Sequence, residues 1–205
     1  MNGSMMKLSA LLLSFAMVLT AFSQYDWKLT RDQDGIKVYQ SDVPNSHYNN
    51  IRVECTVPGT YDKLIGVLTN LGRYKDWVYQ NKLGYILKKV SPTEYYIYTE
   101  TFVPWPLNNR DVVSFMRIDR DKQDRYLKVT QVSVPNYIPP KPGKVRVPKS
   151  NVTYNVTKIS SSSIHISYTL ELEPGGEVPG WLVNNFADKG PFETFRKLRE
   201  IMKKS

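Results

Sequence analysis

Residues 164–173, IHISYTLELE, alternate without a fault. Ile164, Ile166, Tyr168, Leu170 and Leu172 share one parity, and His165, Ser167, Thr169, Glu171 and Glu173 share the other. Successive side chains of a strand point to opposite faces, so this run predicts a half-buried antiparallel strand with one dry face and one wet face. A one-sided strand needs partners at its edges and a second layer over its apolar face. Partners are present. Short runs rich in Val, Ile, Tyr and Thr, broken by turn residues, predict strands near 36–40, 48–57, 83–90, 94–103, 111–119, 126–134, 144–148 and 151–159. The SSSS stretch at 160–163 reads as a polar hairpin turn.

The second layer comes from helices. Thr60 is a plausible N-cap for a helix carrying Leu64, Ile65, Leu68 and Leu71 at helical spacing. From 178 to 203, Trp181, Leu182, Asn185, Phe186, Phe192, Phe195, Leu198 and Met202 form one broad apolar stripe. Gly190-Pro191 should kink or break it. Arg196, Lys197, Arg199, Lys203 and Lys204 crowd its C-terminal end, where the helix dipole favours cations. The expectation is an α+β domain in which a strongly curved antiparallel sheet wraps a long C-terminal helix. A chain of 205 residues, 41% hydrophobic, suits one such domain.

The first 23 residues stand apart. One early charge, Lys7, precedes an apolar run from Leu8 to Phe22, with Ala21 and Ser23 placed for cleavage before Gln24. This is a secretory signal-peptide pattern, and the run is on the short side of the roughly 17–25 residues of a spanning helix. The expectation is export to a periplasm or the extracellular space, with the domain occupying 24–205. The single cysteine, Cys55, shares the apolar parity of Val53 and Val57 and reads as a buried core thiol. With no second cysteine there is no internal disulfide, and the core alone must hold the fold.

Several chemistries are disfavoured by composition. Two histidines occur, His47 in a polar loop and His165 on the wet face of its strand, and neither belongs to a nucleophile motif. No CxxC, HExxH, calcium-loop or glycine-rich phosphate pattern appears, so neither a metal nor a cofactor is expected. The net charge of +9 raises nucleic acid as a partner, but the basic residues are dispersed and an exported protein rarely meets nucleic acid. A solvated face is the default reading, and anionic lipid headgroups are the better functional match. Asn151-Val-Thr and Asn155-Val-Thr are glycosylation triplets inside a predicted strand. Asp111, beside Arg110 at the start of a strand, is the most interesting acid, read first as part of a structural ion pair or a loop-bracing hydrogen bond.

The order of motifs resembles the START family, the lipid-transfer domains related to steroidogenic acute regulatory protein. Its opening resembles WKLTRDQDGIKVYQ, with Trp27, Gly35, Ile36, Val38 and Tyr39; its segment after the first inner helix resembles LGRYKDWV, with Trp77. Its best-known signature resembles WPLNNRDVV, with Trp105, Pro106, Arg110 and Asp111. KVRV at 144–147 and Tyr154, where a Trp is common, follow in order, and LEPGGEVPGWLVN resembles the entry to its C-terminal helix. The resemblance covers about 25–202 and implies a helix-grip fold with an apolar cavity between sheet and helix. It also implies that the loop before Arg110-Asp111 lies near the cavity mouth. Phe102, Trp105 and Leu107, stiffened by Pro104 and Pro106, would then cap a ligand or touch a membrane.

Within that frame, alternation assigns the side chains facing the cavity. Ile97 and Thr99 share one face; Val112, Ser114 and Met116 share one face of the next strand; Tyr154, Ile166 and Tyr168 face inward under Trp181, Asn185 and Phe186. Thr99, Ser114, Tyr168 and Asn185 would supply the few polar groups that orient a ligand. Sterol-binding members can carry a buried acid–arginine pair, which falls on Ile97 and Met116 here, so acyl chains, isoprenoids or another apolar molecule are favoured over sterols. The leading expectation is a monomeric, non-enzymatic lipid-binding and lipid-shuttling protein. Two others stay open: a cavity enzyme of aromatase/cyclase or hydrolase type using Asp111, Tyr154 or Tyr168, and a scaffold whose core is filled.

Overall fold

A computed structural model describes residues 25–44, 46, 48–178, 182 and 185–204. The expected leader, His47 and Trp181 fall outside the described residues, as do the side chains of Asn185 and Phe186. Ten strands form one sheet: β1 (Lys28–Gln33), β2 (Ile36–Ser41), β3 (Asn50–Pro58), β4 (Asn81–Ser91), β5 (Glu94–Thr101), β6 (Asn109–Arg120), β7 (Leu127–Ser133), β8 (Lys144–Arg146), β9 (Lys149–Ser160) and β10 (Ser163–Glu173). The order is β1-β2-β3-β10-β9-β7-β6-β5-β4, and the sheet stays open with β1 and β4 at its edges. The short β8 pairs parallel to the start of β6, and the other pairings are antiparallel.

The expected helices form where their caps and stripes predict. Thr60 is extended and its Oγ1 accepts the Lys63 N–H at 3.3 Å, starting α1 (Tyr61–Thr69). Leu64 and Leu68 are fully buried, and a 3₁₀ turn (Leu71–Arg73) leads into α2 (Tyr74–Trp77). Gly84 in β4 lets that turn approach: a Cβ there would lie 2.7 Å from the Leu71 carbonyl oxygen. Among the described residues of the helix expected over 178–203, Leu182 is helical and a π-turn (Asn185–Lys189) runs directly into α3 (Gly190–Lys203). Pro191 has no N–H to donate backward, so the change from π to α pattern falls at Gly190-Pro191, where proline belongs to a first turn, and Lys189 before it stays helical. Phe192, Phe195, Leu198 and Met202 of α3 are buried, and the helix packs on β2, β3 and α2.

The concave face is unevenly filled. At one end Leu64, Leu68, Leu71 and Trp77 interlock with Ile97, Met116, Ile118, Leu127, Val156, Ile166 and Leu198. Cys55 lies in this core, and burial pushes its thiol up to about 12. On the convex side a second cover exists that alternation does not announce. The segment 134–148 folds over β5 and β6: Tyr137 stacks on Tyr96 at 3.9 Å, and Lys141 Nζ sits 4.0 Å above the Tyr98 ring. Below them Lys144 meets Glu100 at 2.9 Å, and Arg146 grips Asp111 through bonds of 2.9 and 3.0 Å. The basic clusters are largely spoken for in this way, since Arg117, Arg120 and Arg125 also pair with Glu94, Asp62 or Asp124, and Asp121.

Candidate ligand-binding site

The described residues bound a cavity of about 290 Å³ at the other end of the concave face. Native interiors leave few voids larger than a water molecule, whose share of liquid volume is about 30 Å³. A space near ten times that share is a cavity rather than a packing fault, at the lower edge of the roughly 300–1,000 Å³ typical of small-molecule sites. Its walls come from β3 to β7, β9, β10, α2, the π-turn and α3, and it is partly open.

The lining follows the strand registers. Along β6 the inward side chains are Arg110, Val112 and Ser114, with Met116 next. Each step is about 7 Å at a strand's rise, so the lined part of β6 runs about 14 Å. Across the sheet, Asn81, Thr101 and Arg110 sit opposite one another on β4, β5 and β6, giving one polar rung. The next rung pairs Thr99 with Val112. On the far wall Tyr154 and Tyr168 are opposite, edge to face at 5.0 Å, and Phe195 of α3 stands 5.1 Å from Tyr168. Tyr74 completes this aromatic end and donates its hydroxyl to the Leu68 carbonyl at 2.6 Å. Burial pushes the phenols of Tyr74, Tyr154 and Tyr168 far above their ordinary range. They are neutral across physiological pH and cannot serve as bases there.

The structure places the expected site residues as follows. Thr99, Val112, Ser114, Tyr154 and Tyr168 line the cavity. Ile97, Met116 and Ile166 lie on the expected face but below the cavity floor, because α1 and α2 fill that end of the sheet around them. In the loop before the Arg-Asp pair, Trp105 is 89% exposed and Phe102 43%, and Leu107 is half-buried. None of the three lines the cavity; Val103 does, its N–H held by the Asn109 side chain at 3.1 Å. Asp111 faces the convex side, where Arg146 holds it, because a residue next to an inward-pointing one on a strand must point outward. Trp181 and the side chains of Asn185 and Phe186 fall outside the described residues. Asn81, Gln131, Ser150 and Thr194 line the cavity without having been singled out in the sequence.

Arg110 departs from the apolar lining. It is 7% exposed, and its Nη1 donates to the Asn108 carbonyl at 2.7 Å and Nη2 to the Gly175 carbonyl at 3.4 Å. Its Nε has no hydrogen-bond partner among the described residues. Burial lowers its pKa from the usual guanidinium value.

An open, curved antiparallel sheet closed by a C-terminal helix over a mostly apolar cavity defines a helix-grip fold. The family model described as START domain matches residues 13–205, and the chain belongs to that family. It is similar to an uncharacterized protein of Pseudomonas aeruginosa, 28% identical over 87% of this chain and 88% of that one. It is similar also to mouse phosphatidylcholine transfer protein, 28% identical over 83% of this chain and 80% of that one. Among solved structures, a STAR-related lipid transfer protein from Xanthomonas axonopodis superposes with a TM-score of 0.78 at 29% identity, covering 87% of this chain and 99% of that one.

Proposed function

We propose that the protein is an exported lipid-binding and lipid-transfer protein that holds an apolar chain between the sheet and α3, by binding rather than by catalysis. The observation that carries this reading is the cavity itself: about 290 Å³ bounded by Val, Leu, Tyr and Phe side chains with a few polar groups, in a chain of the START family. Removing apolar surface from water contributes roughly 25 cal/mol per Å², so a single long chain supplies useful affinity before the costs of association. The groups an enzyme would need are poorly placed for chemistry. Asp111 lies on the opposite face in an ion pair, and burial holds the Tyr154 and Tyr168 phenols neutral. The resemblance places the acid–arginine pair of sterol-binding members at Ile97 and Met116, and this speaks against sterol recognition.

Export rests on the leader pattern at 1–23. Membrane contact is assigned to the exposed Trp105 and Phe102, which stand on the loop next to cavity-lining Val103 and Arg110. A large exposed aromatic beside a site for apolar molecules suits a surface that meets lipid. The reading is tested by extracting the purified mature protein with organic solvent and analysing the extract by mass spectrometry. A recurring apolar molecule near one per protein is expected. An empty extract, together with failure to take up any fluorescent acyl probe, contradicts the reading.

A further inference from the structure

We infer that the cavity selects amphiphiles with an acidic headgroup, and that Arg110 is the anchor for the anion; this rests on the lipid-binding reading above. A guanidinium buried to 7% exposure without a counter-ion is costly, and such groups are ordinarily paired. Arg110 makes no ion pair with any described carboxylate, and the positions outside the described residues hold no Asp or Glu. The two buried acids near it are committed elsewhere. Asp111 is held by Arg146 on the convex face, and Glu100 by Lys144 at 2.9 Å and the Asn109 amide at 2.7 Å. What Arg110 does have is two backbone carbonyls, which fix the guanidinium in place but carry no net charge, and a buried Nε with no acceptor among the described residues.

Its position fits the role. Arg110 starts the inward row of β6, so an acid on its guanidinium points the attached chain along Val112 and Ser114 toward the aromatic end. Thr101 beside it offers a hydroxyl donor to the same anion. Asn81, the third member of the rung, has a buried Oδ1 without a partner among the described residues. That oxygen accepts from a hydroxyl or ammonium on the same headgroup. Carboxylate and phosphate share the chemistry that a guanidinium recognises.

The test is competition against a bound fluorescent acyl probe by three ligands sharing one chain: hexadecanoate, hexadecyl phosphate and hexadecanol. A charge-assisted hydrogen bond in a buried site predicts that at least one acid binds the wild type roughly 10- to 100-fold tighter than the alcohol. Whichever acid is tighter names the headgroup. Arg110→Gln is expected to abolish that preference while hexadecanol binding stays, which also shows that the variant folds; Arg110→Lys retains part of it. Equal binding of acids and alcohol by the wild type, or a preference that survives Arg110→Gln, overturns the anchor and leaves the lipid-binding reading standing. Failure of all three ligands overturns the lipid-binding reading itself, and this inference with it.

Discussion

Replacing Asp111 with Ala separates a structural acid from a functional one. Asp111 is completely buried, and Arg146, its partner, has a side chain only 9% exposed. The pair is bidentate at 2.9 and 3.0 Å, and the same guanidinium donates to the carbonyls of Pro135, Ile138 and Pro139. Asp111→Ala therefore strands a buried cation and loosens the cover over β5 and β6. Removing one partner of a buried pair costs about 3–5 kcal/mol. For a domain of this size, 1 kcal/mol moves Tm by about 2–4 °C, so a fall of roughly 6–20 °C is expected in a thermal melt. Affinity for a fluorescent acyl probe, measured well below the lowered Tm, should change by less than about threefold, since Asp111 does not face the cavity. Adding Arg146→Met should recover part of the lost stability, because the stranded charge goes with it. A Tm unchanged within 2 °C, or probe binding lost at unchanged Tm, refutes the reasoning.

Three further predictions follow from particular residues. Trp105→Ala should leave Tm nearly unchanged, within about 0.5 kcal/mol for so exposed a side chain, yet slow transfer of a fluorescent lipid between anionic vesicles; unchanged transfer removes the membrane role from this loop. Gly84→Ala should cost about 1–3 kcal/mol in urea unfolding, because the added Cβ meets the Leu71 carbonyl at 2.7 Å and backbone must move. Burial alone would raise the Glu100 pKa, but bonds from Lys144 and Asn109 outweigh it and hold the carboxyl below its usual 4.5. Its stabilising contribution is then full above pH 4.5 and fades as pH falls through the lower folded value. The Tm advantage of wild type over Glu100→Gln should accordingly shrink in acid, and an advantage that grows there contradicts the assignment.

Alternation and helical spacing make most of the scaffold legible in the sequence. The run 164–173 became β10, and Thr60, Leu64 and Leu68 became a capped helix over the core, with Leu71 in the 3₁₀ turn that follows it. β1 was missed because KLTRDQ lies at a sheet edge with almost every side chain exposed, so it has no apolar parity to show. Parity also gave the correct face for Ile97, Met116 and Ile166, but not their depth. Where the cavity ends depends on side chains arriving from α1 and α2, which are remote in sequence from β5, β6 and β10. The inward turn of Arg110 was available from the same rule, since 110, 112 and 114 share a parity; its signal was masked by the pairing of Arg110 with Asp111 as one motif. The cover by 134–148 could not be read, because Tyr98 and Val113 sit on the parity that alternation gives to water.

Titration of the mature protein with a fluorescent acyl-chain probe, for the wild type and for Val112→Trp, tests the central claim most directly. Val112 lines the middle of the cavity, and an indole there occupies space the ligand needs. Saturable binding at one probe per wild-type protein, lost or weakened at least tenfold in a folded Val112→Trp variant, is the predicted result. Equal binding by both proteins contradicts the account, because the probe would then be held somewhere other than between the sheet and α3.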